Sequence, residues 1–424
     1  MPPEGEGASR AVANWLQWLE GLHPRSWDLG VERIVVVAAE LGVTRLPSVV
    51  ISVAGTNGKG STVALLESCY RAGGYTTGAF SSPHIHRFNE RIRLDGAEVT
   101  DEALLEAFER VDRARGEITL TYFEFTTLAA LLLFGDAGPD VVLLEVGLGG
   151  RLDAVNVTEP DVSVITTVDL DHQAWLGDTR EAIGFEKVGI ARPGRPLVVG
   201  DPEPPESIEA NARGALLWQR GLDFDVEAAP GGWHWIGRGG RVRRGLPPPA
   251  LRGEGQLDNA ATALAVIEVL TARLPLGQQA IRRGLEEVRL PARFQVIPGE
   301  VPLILDVAHN GQATAALARN LARHPCIGRT HAVVAMLADK DAAAALNPLS
   351  QQVDAWYPAA LGGERGRDGE SMAAAVVDAG GAVAGVYPDP AAALAAARQA
   401  AGTGDRILVF GSFQTVAAVA PAEA

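Results

Sequence analysis

Residues 46–62 read LPSVVISVAGTNGKGST, and this stretch decides the fold. The apolar segment Leu46–Ala54 predicts a strand that is buried in a sheet. The glycine-rich turn after it leads into a predicted helix over Ser61–Gly73, which closes at a pair of glycines. A strand, a glycine turn and a helix in this order form the setting in which many proteins bind phosphate groups.

The turn carries the residue types that a phosphate loop needs. Its glycines let backbone N–H groups approach phosphate oxygens, Lys59 supplies a positive charge, and Ser61 or Thr62 can reach a magnesium ion. The spacing is a variant, because Val53 stands at the first glycine position and Gly60 separates Lys59 from Ser61. The alternative is a glycine turn with a solvated lysine. The predicted nucleotide-binding residues of the loop are Gly55, Thr56, Asn57, Gly58, Lys59, Gly60, Ser61 and Thr62.

Apolar segments alternate with helical patterns around this loop, which predicts an α/β fold with a mostly parallel sheet. The first 35 residues look helical. Residues 201–258 differ from their surroundings, because prolines and a Gly-Gly-Trp-His-Trp segment indicate an irregular or antiparallel insertion. The other predicted elements of this part are strands at Asp140–Val146 and Asp161–Val168 and helices at Asp101–Arg115, Glu124–Phe134 and Asn259–Leu274.

A second alternating block follows Leu290-Pro291, where proline breaks the preceding helix. We therefore predict two domains, 1–290 and 291–424, as expected for a chain of 424 residues. The strand candidates of the second domain are Leu303–Val307, Ala332–Met336, Val353–Tyr357 and Arg406–Phe410.

Composition excludes several classes of protein. A net charge of −15 argues against a nucleic-acid binder, which needs a basic face. No apolar run approaches the roughly 20 residues that a membrane span needs, and the acidic amino terminus does not resemble a signal peptide. Cys69 and Cys326 lie far apart and form no metal-type pair, which favours a reducing compartment. We expect a cytoplasmic enzyme, a monomer, with small-molecule substrates and neither nucleic acid nor membrane as a partner.

The variant loop resembles that of folylpolyglutamate synthases and dihydrofolate synthases, relatives of the Mur peptide ligases. The resemblance covers nearly the whole chain, with one departure at Gly311, where the family usually has proline after His-Asn. The matching segments are GTNGKGST at 55–62, SSPH at 81–84, FNER at 88–91, LTYFEF at 120–125, LEVGLGGRLD at 144–153, LDH at 170–172, WLG at 175–177, EKVGI at 186–190, RFQ at 293–295, DVAHN at 306–310 and LADKD at 337–341.

The resemblance implies a Mur-ligase-like ATP-binding domain followed by a smaller Rossmann-like ligase domain. It also implies ATP and two Mg²⁺ ions. Glu145 suits a metal on independent grounds, because it ends a predicted strand and Mg²⁺ prefers oxygen ligands; the alternative is a strand-end salt bridge with Arg151. Ser82 and His172 are assigned to metal by the resemblance, since a lone histidine is usually structural. The implied metal ligands are Ser61, Ser82, Glu145, His172 and Lys187.

Lys187 has a further implied role. By resemblance it carries carbon dioxide as a carbamate, which turns a cation into an anion that can help to hold the second metal ion. The alternative is an exposed lysine that pairs with Glu186 or Glu181. Together with Lys59, His172 and His309, this lysine belongs to the implied catalytic set.

The second domain contributes residues that the family places at the nucleotide and at glutamate. The resemblance assigns Asn259, Arg293 and Asp306 to ATP, and it places His309 and Ser412 at the incoming glutamate. On sequence grounds alone, Asn259 is a helix cap, Arg293 an interdomain salt-bridge partner and Asp306 a capped strand end.

The segment HPRSWDLGVER at 23–33 resembles bacterial enzymes that have both synthase activities. Dihydropteroate has no glutamate tail, so its pterin end must supply binding, for which Asp28 is a hydrogen-bond acceptor and Trp27 or Phe123 an aromatic surface. The alternative is that Asp28 caps a helix that starts near Val31 and that Trp27 packs as a staple. The predicted folate-binding residues are Trp27, Asp28, Leu29, Thr121 and Phe123.

The expected reaction is ATP-dependent amide formation through an acyl phosphate. One carboxylate substrate is dihydropteroate, which yields dihydrofolate, and tetrahydrofolates are the others, to which further L-glutamate is added. The alternatives are a synthase with only the extension activity, a Mur-type ligase for a UDP-sugar peptide, and a nucleotide-binding regulator. A Mur-type ligase would want a nucleotide-sugar domain before the phosphate loop, which here begins at residue 55. Joint retention of Lys59, Glu145, His172 and Lys187 argues against the regulator.

Overall fold

The chain is described by a computed structural model that covers residues 8–25, 28–253, 255–363 and 365–421. It divides into two compact units. The first unit comprises Met1–Ala250 and Leu257–Val288, and the second comprises Leu251–Gln256 and Arg289–Ala424.

The largest sheet of the first unit is built around the strand that precedes the glycine turn. Its described strands are β1 (Val49–Ala54), β2 (Thr77–Phe80), β3 (Ile92–Leu94), β4 (Ala97–Glu98), β5 (Val141–Glu145), β6 (Val162–Ile165), β7 (Pro196–Val199) and β8 (Leu216–Gln219). They lie in the order β4-β3-β2-β5-β1-β6-β7-β8. From β2 to β8 all neighbours are parallel, whereas β3 and β4 run antiparallel at one edge. The predicted α/β fold with a mostly parallel sheet is therefore confirmed.

Helices accompany this sheet. Their bounds are α1 (Ala8–Glu20), α2 (Glu32–Glu40), α3 (Lys59–Ala72), α4 (Asp101–Arg115), α5 (Tyr122–Ala137), α6 (Gln173–Leu176), α7 (Arg180–Val188), α8 (Glu206–Ala210), α9 (Gln256–Val269) and α10 (Gln278–Glu287). Single turns of 3₁₀ helix occur at Phe88–Arg91, Ala154–Val157 and Arg238–Gly240. The prediction of one helical stretch over the first 35 residues is wrong, because turns and a loop separate α1 from α2 in the described part.

The starts of α4 and α5 follow from local chemistry. The Thr100 hydroxyl accepts a hydrogen bond from the backbone of Ala103 and so caps α4. The Thr121 hydroxyl caps α5, and Glu124 closes the reciprocal half of a capping box. Apolar side chains of α1, α2, α4 and α5 pack with β1, β2 and β5 into one buried cluster that includes Trp15, Phe108 and Phe125.

The insertion is antiparallel, as predicted, except at its start. β8 extends the main sheet as a parallel edge strand. A separate three-stranded sheet then comprises β9 (Phe224–Ala229), β10 (Gly232–Gly237) and β11 (Arg241–Leu246), with β10 in the centre. Trp235 is fully buried, and its indole N–H donates to the Ala261 carbonyl oxygen at 3.1 Å, which fixes this sheet against α9.

The second unit is a smaller α/β unit. Its described strands are β12 (Gln295–Ile297), β13 (Leu303–Leu305), β14 (Thr330–Val334), β15 (Ala355–Pro358) and β16 (Arg406–Phe410), in the order β12-β13-β16-β14-β15. Only the β12–β13 pair among them is antiparallel. The helices are α11 (Gly311–Arg323), α12 (Ala342–Leu346), α13 (Gly369–Asp378), α14 (Pro390–Ala400) and α15 (Phe413–Ala417), with a 3₁₀ turn at Asn347–Leu349.

None of the helices in the described ranges is both long enough and apolar enough to cross a membrane.

Candidate active site

The glycine turn lies where the carboxyl ends of three strands meet. Backbone N–H of Thr56 donates to the Thr167 carbonyl oxygen at 2.7 Å, and the Thr56 hydroxyl lies 3.0 Å from both the backbone N–H and the carbonyl oxygen of Asp169. Gly58 is the N-cap of α3 and has a φ of 90°, a backbone conformation that residues other than glycine rarely adopt. The segment that follows β6, with Thr167 and Asp169, therefore fixes the position of the loop. The N-terminus of α3 lies at the end of the same loop.

Lys59 bends back over this loop. Its ammonium donates to the carbonyl oxygens of Gly55 at 2.8 Å and Thr56 at 3.1 Å. The alternative of a solvated lysine does not describe this side chain, because it is partly buried and its amine is bound by its own loop. These bonds place a positive charge at the mouth of the turn, where a phosphate group would approach.

Glu145 ends β5, directly beside β1 in the sheet. Its register partner is Val53, so the carboxylate stands at the strand end next to the glycine turn. The side chain is 5% exposed, and its Oε2 accepts the backbone N–H of Ser82 at 3.3 Å. Arg151 pairs with Glu186 at 2.8 Å, so the alternative of a Glu145–Arg151 salt bridge does not hold. The structure thus brings Ser82 and Glu145 together from separate strands.

The hydroxyl groups of the α3 N-terminus complete this edge. Ser61 and Thr62 are both buried in the first turn of α3. The Thr62 hydroxyl has no hydrogen-bond partner. Among the described residues, no three His, Cys, Asp or Glu side chains group together as a metal site would need. A metal ion at this edge would consequently depend on hydroxyl groups and on ligand oxygens as well as on Glu145.

His172 lies just past β6. Its φ of 52° is in the left-handed region, and its backbone N–H is bound by the Asp171 carboxylate at 2.8 Å. The imidazole is partly exposed. Strained backbone of this kind is found preferentially at functional sites. The structure leaves the predicted metal-binding role of His172 as a prediction.

Lys187 is buried, contrary to the alternative of an exposed lysine. The side chain is 3% exposed at the end of α7, while Glu186 pairs with Arg151. Burial and then the positive charge of Lys59 lower the pKa of Lys187 to about 7, against the weaker opposing effect of Asp171 and Asp153. Much of this amine is therefore neutral near physiological pH, which is the form that reacts with carbon dioxide.

Asp153 joins this site although no role was predicted for it. Its carboxylate accepts the backbone N–H groups of Leu148 at 2.8 Å and Val155 at 3.0 Å, and it is 3% exposed. Burial raises its pKa to about 6, opposed by those hydrogen bonds and by Lys59. Its place in the LGGRLD segment was visible in the sequence, but its burial was not. The signal that could have singled it out is an aspartate within the glycine-rich turn after a buried strand.

Asn259 lies beside the glycine turn. It is in the first turn of α9 rather than at its cap, because α9 begins at Gln256. A methyl group added at Gly58 would collide with the Asn259 amide, so the two residues are in close contact. The structure therefore brings Asn259 to the phosphate loop, as a nucleotide contact requires, and the contact with adenine remains a prediction.

In the second unit, Arg293 and Asp306 are neighbours. The Arg293 guanidinium lies over the Phe413 ring, 5.0 Å from its centroid. Asp306 follows β13 and accepts the backbone N–H groups of Phe294 at 2.9 Å and Ala308 at 2.7 Å. Desolvation raises the pKa of Asp306, while Arg293 counteracts the shift. Asp306 therefore does cap the end of the strand, as the alternative interpretation expected.

His309 and Ser412 follow two adjacent strands, β13 and β16. His309 Nδ1 donates to the Val307 carbonyl oxygen at 2.8 Å, so Nδ1 carries the proton in that hydrogen bond. Asn310 caps α11, which begins at Gly311, so glycine at this position preserves the turn. Ser412 caps α15 by accepting from Thr415 N at 2.9 Å. The carboxyl edge of this sheet thus collects the predicted glutamate residues.

The predicted folate residues are divided between a loop and the start of α5. Trp27 lies outside the described residues. Asp28 forms ion pairs with Arg33 and His23, whereas the N-cap of α2 is Val31, so the capping alternative for Asp28 is wrong. Leu29 packs against the buried cluster that holds Leu148 and Leu176.

Thr121 and Phe123 form the other part. Thr121 is the N-cap of α5 and is buried. The Phe123 ring lies 5.8 Å from the Phe80 ring, and Gly147 is in contact with it, because a methyl group there would overlap the ring. An aromatic face therefore borders the turn after β5, close in sequence to Glu145.

Comparison with known proteins identifies the family to which the chain is similar. Residues 292–413 match the family model described as Mur ligase, glutamate ligase domain. The chain is 44% identical over 414 residues to the dihydrofolate synthase/folylpolyglutamate synthase of Escherichia coli strain K12, which covers 97% of this chain and 95% of the relative.

Solved structures agree with this finding. Escherichia coli FolC in complex with DHPP and ADP superposes with a TM-score of 0.91 at 43% identity, covering 98% of each chain. A bifunctional folylpolyglutamate synthase/dihydrofolate synthase with Mn, AMPPNP and L-glutamate bound gives a TM-score of 0.90 at 45% identity, covering 99% of this chain and 98% of the other.

Proposed function

The chain belongs to the dihydrofolate synthase/folylpolyglutamate synthase family, and from this membership we propose that it joins L-glutamate by an amide bond to dihydropteroate and to tetrahydrofolates. ATP and a divalent metal ion take part in this ATP-dependent ligation. The observation that carries the proposal is the meeting of the glycine turn, Glu145 and the buried Lys187 at one edge of the main sheet.

The phosphate loop positions ATP. Backbone N–H groups at the start of α3 point along the helix axis toward the turn, where they favour negative charge. Lys59 exchanges its bonds to the Gly55 and Thr56 carbonyl oxygens for bonds to phosphate oxygens. Asn259, in contact with Gly58, extends the site toward the rest of the nucleotide.

The donor set at this edge fits a hard divalent cation such as Mg²⁺. Ser61 and Ser82 offer hydroxyl oxygens, Glu145 a carboxylate and His172 an imidazole nitrogen. A bound divalent cation supplies charge neutralisation as phosphate and carboxylate approach each other. The family resemblance implies two ions, and a carbamate on Lys187 would add an anionic ligand for the second.

We propose that Lys187 is carbamylated in the active enzyme. Its neutral amine attacks the carbon of carbon dioxide, a C–N bond forms, and one proton leaves to water. The product is an anion in a place where the buried ammonium was disfavoured. Glu186 remains with Arg151, so the new anion does not compete for that arginine.

The reaction then proceeds in two steps. The substrate carboxylate attacks the γ-phosphorus of ATP, which releases ADP and forms an acyl phosphate. The amine of L-glutamate attacks the acyl carbon, the C–O bond to phosphate breaks, and phosphate leaves together with one proton from the amine. The phosphorylation is needed because a free carboxylate is a poor acyl donor. The protein itself contributes mainly positioning and charge stabilisation.

The second unit contributes the remaining contacts in this proposal. Arg293 and Asp306 bind the nucleotide, with Phe413 holding the guanidinium. His309 presents Nε2, since Nδ1 is bound to the Val307 carbonyl oxygen. With Ser412, it contacts the incoming glutamate. Exclusion of water would protect the acyl phosphate from hydrolysis.

Dihydropteroate is bound at its pterin end. Asp28 accepts hydrogen bonds from the pterin ring, Phe123 offers an aromatic face, and Leu29 and Thr121 border the ring. Burial raises the pKa of Asp28, but the neighbouring Arg33 and Arg25 lower it further, so that the pKa lies below its ordinary value and the carboxylate remains an acceptor.

A substrate panel tests the proposal. Purified protein with ATP, Mg²⁺ and L-glutamate receives dihydropteroate, tetrahydrofolate or a UDP-sugar peptide, and ADP and the amide product are measured. We expect dihydrofolate from dihydropteroate and a lengthened glutamate tail on tetrahydrofolate. Extension of tetrahydrofolate with untouched dihydropteroate would leave a synthase with one activity. Turnover of only the UDP-sugar peptide would place the chain with the Mur-type ligases.

We also infer that the enzyme works in the cytoplasm. Cys69 and Cys326 are both free thiols, as expected in a reducing compartment.

A further inference from the structure

One guanidinium joins three segments beside the predicted pterin site. Arg33 Nη1 donates to Asp28 Oδ2 at 2.5 Å, and Nη2 donates to the Asp28 carbonyl oxygen at 3.0 Å. The same Nη2 lies 3.2 and 3.3 Å from the two carboxylate oxygens of Glu124. Arg33 is in α2, Asp28 in the loop before it, and Glu124 in the first turn of α5. We refer to Asp28, Arg33 and Glu124 as the Arg33 clamp.

The Glu124 side of the clamp fixes the start of α5. Glu124 is 3% exposed, and its Oε2 accepts the Thr121 backbone N–H at 2.7 Å. A buried carboxylate needs a compensating charge, which Arg33 supplies. Removal of Arg33 would leave Glu124 ionised without a cation in contact, so the turn that carries Phe123 would shift or loosen.

The Asp28 side fixes the loop. Beyond Arg33, the loop is tied to a second segment, because Gly30 N donates to the Leu152 carbonyl oxygen at 3.3 Å. Arg33 is suited to joining both sides, since its planar fork binds Asp28 and Glu124 at once. A structural staple between α2 and α5 would need only the Glu124 contact, whereas two of the hydrogen bonds of Arg33 go to the loop.

We propose that Arg33 is a positioning residue that fixes the spacing between residues 28–31 and the first turn of α5, and thereby the width of the pterin pocket. This inference rests on the proposed function. Dihydropteroate lacks a glutamate tail, so its binding depends on this pocket more than the binding of a tetrahydrofolate does. Loss of the clamp therefore lowers the use of dihydropteroate more than that of tetrahydrofolate.

Two variants and a control test the role. Arg33→Met keeps the aliphatic stem and removes the fork, and Arg33→Lys keeps the charge but cannot hold both carboxylates. Arg115→Met removes a comparably buried guanidinium, which contacts Asp112 and two carbonyl oxygens at the end of α4, outside the predicted site. Each variant is assayed for kcat and KM with both substrates and for its Tm.

We expect Arg33→Met to lower kcat/KM for dihydropteroate at least about tenfold more than for tetrahydrofolate, mainly through KM. The KM values for ATP and L-glutamate should stay within about twofold of the wild type. Arg33→Lys should recover part of the loss, and Arg115→Met should lower only the Tm. Equal losses for both substrates in Arg33→Met, in proportion to its Tm, would overturn the positioning role.

Hydrogen exchange separates this inference from the proposed function. In the wild type, dihydropteroate should protect backbone amides of residues 28–33, and Arg33→Met should abolish that protection while ATP still protects the α3 N-terminus. Protection without product formation would count against the proposed function and would keep the clamp as a binding element. Product formation without protection of residues 28–33 would refute the clamp alone.

Discussion

Replacement of Lys187 distinguishes most sharply between the proposed mechanism, with a carbamylated lysine, and one in which this lysine is unmodified. The structure buries the amine and lowers its pKa to about 7 from a usual 10.5. At pH 7 about half of the amine is then neutral, compared with roughly one part in 3,000 for an ordinary lysine. The population that can react with carbon dioxide is therefore larger by about a thousandfold.

The sign of the pH dependence follows from the same shift. The folded protein gives up the lysine proton near pH 7, whereas the unfolded chain keeps it up to about pH 10.5. Because the unfolded state binds more protons in this window, the unmodified protein should gain stability as pH rises from about 7 to 10.5. At a fixed concentration of dissolved carbon dioxide, carbamate formation should likewise increase as pH rises through 7.

The assay combines mass spectrometry with measurements of the reaction rate. Enzyme that is freed of carbon dioxide should lose activity and regain it with bicarbonate, and native mass spectrometry of the intact protein should show one added carbon dioxide that Lys187→Ala lacks. Lys340→Ala should keep the added mass and is the matched control. Lys187→Ala should lose at least about 100-fold in kcat, with partial rescue by a small carboxylic acid, and Lys187→Arg should fail because guanidinium stays protonated. A fully active, metal-loaded enzyme with unmodified Lys187 would refute the reasoning.

Two predictions concern the neighbouring residues. Lys59→Ala should lower kcat by roughly 100-fold or more and move Tm little, because the bonds of its ammonium to the Gly55 and Thr56 carbonyl oxygens stay within its own loop. ADP release and thermal unfolding check this, and normal turnover in a folded variant would exclude the loop from the mechanism. Glu145→Gln keeps an acceptor for Ser82 N and removes the charge, so the Mg²⁺ concentration for half-maximal activity should rise at least about tenfold; an unchanged metal titration would contradict the assignment.

Local signals allowed much of the fold to be predicted. The strand and helix on either side of the glycine turn are set by adjacent residues, and α4 runs over Asp101–Arg115 as expected because Thr100 caps it and Gly116 follows it. The break between α1 and α2 was missed although Gly21, Pro24 and Gly30 interrupt the apolar spacing there and are the signal that could have revealed it. β8 was missed because an edge strand of four residues has little pattern of its own.

Several contacts at the site could not be predicted from the local sequence. Glu145 is six residues from Arg151, and their charges alone favour a pair, yet Gly150 and Arg151 pack on the end of α7 and direct the guanidinium to Glu186. Burial of Lys187 follows from that same packing, so no local pattern could reveal its low pKa. Arg33 was visible only as part of a motif, because its partner Glu124 lies 91 positions away.

If Lys187 is carbamylated as proposed, the charges at the main-sheet edge predict that carbon dioxide and the metal ion bind in a linked way. In the unmodified site, Lys59 repels a Lys187 ammonium and so helps to neutralise it. Carbamylation changes that repulsion into attraction, but it also adds an anion near Asp153, whose pKa burial raises to about 6, and near Asp171. A divalent cation offsets this added negative charge. Binding linkage is reciprocal. If the metal ion raises the equilibrium constant of carbamate formation by some factor, the carbamate raises the affinity for the metal ion by the same factor. If Lys187 is carbamylated as proposed, it therefore couples the uptake of carbon dioxide to the binding of the metal ion.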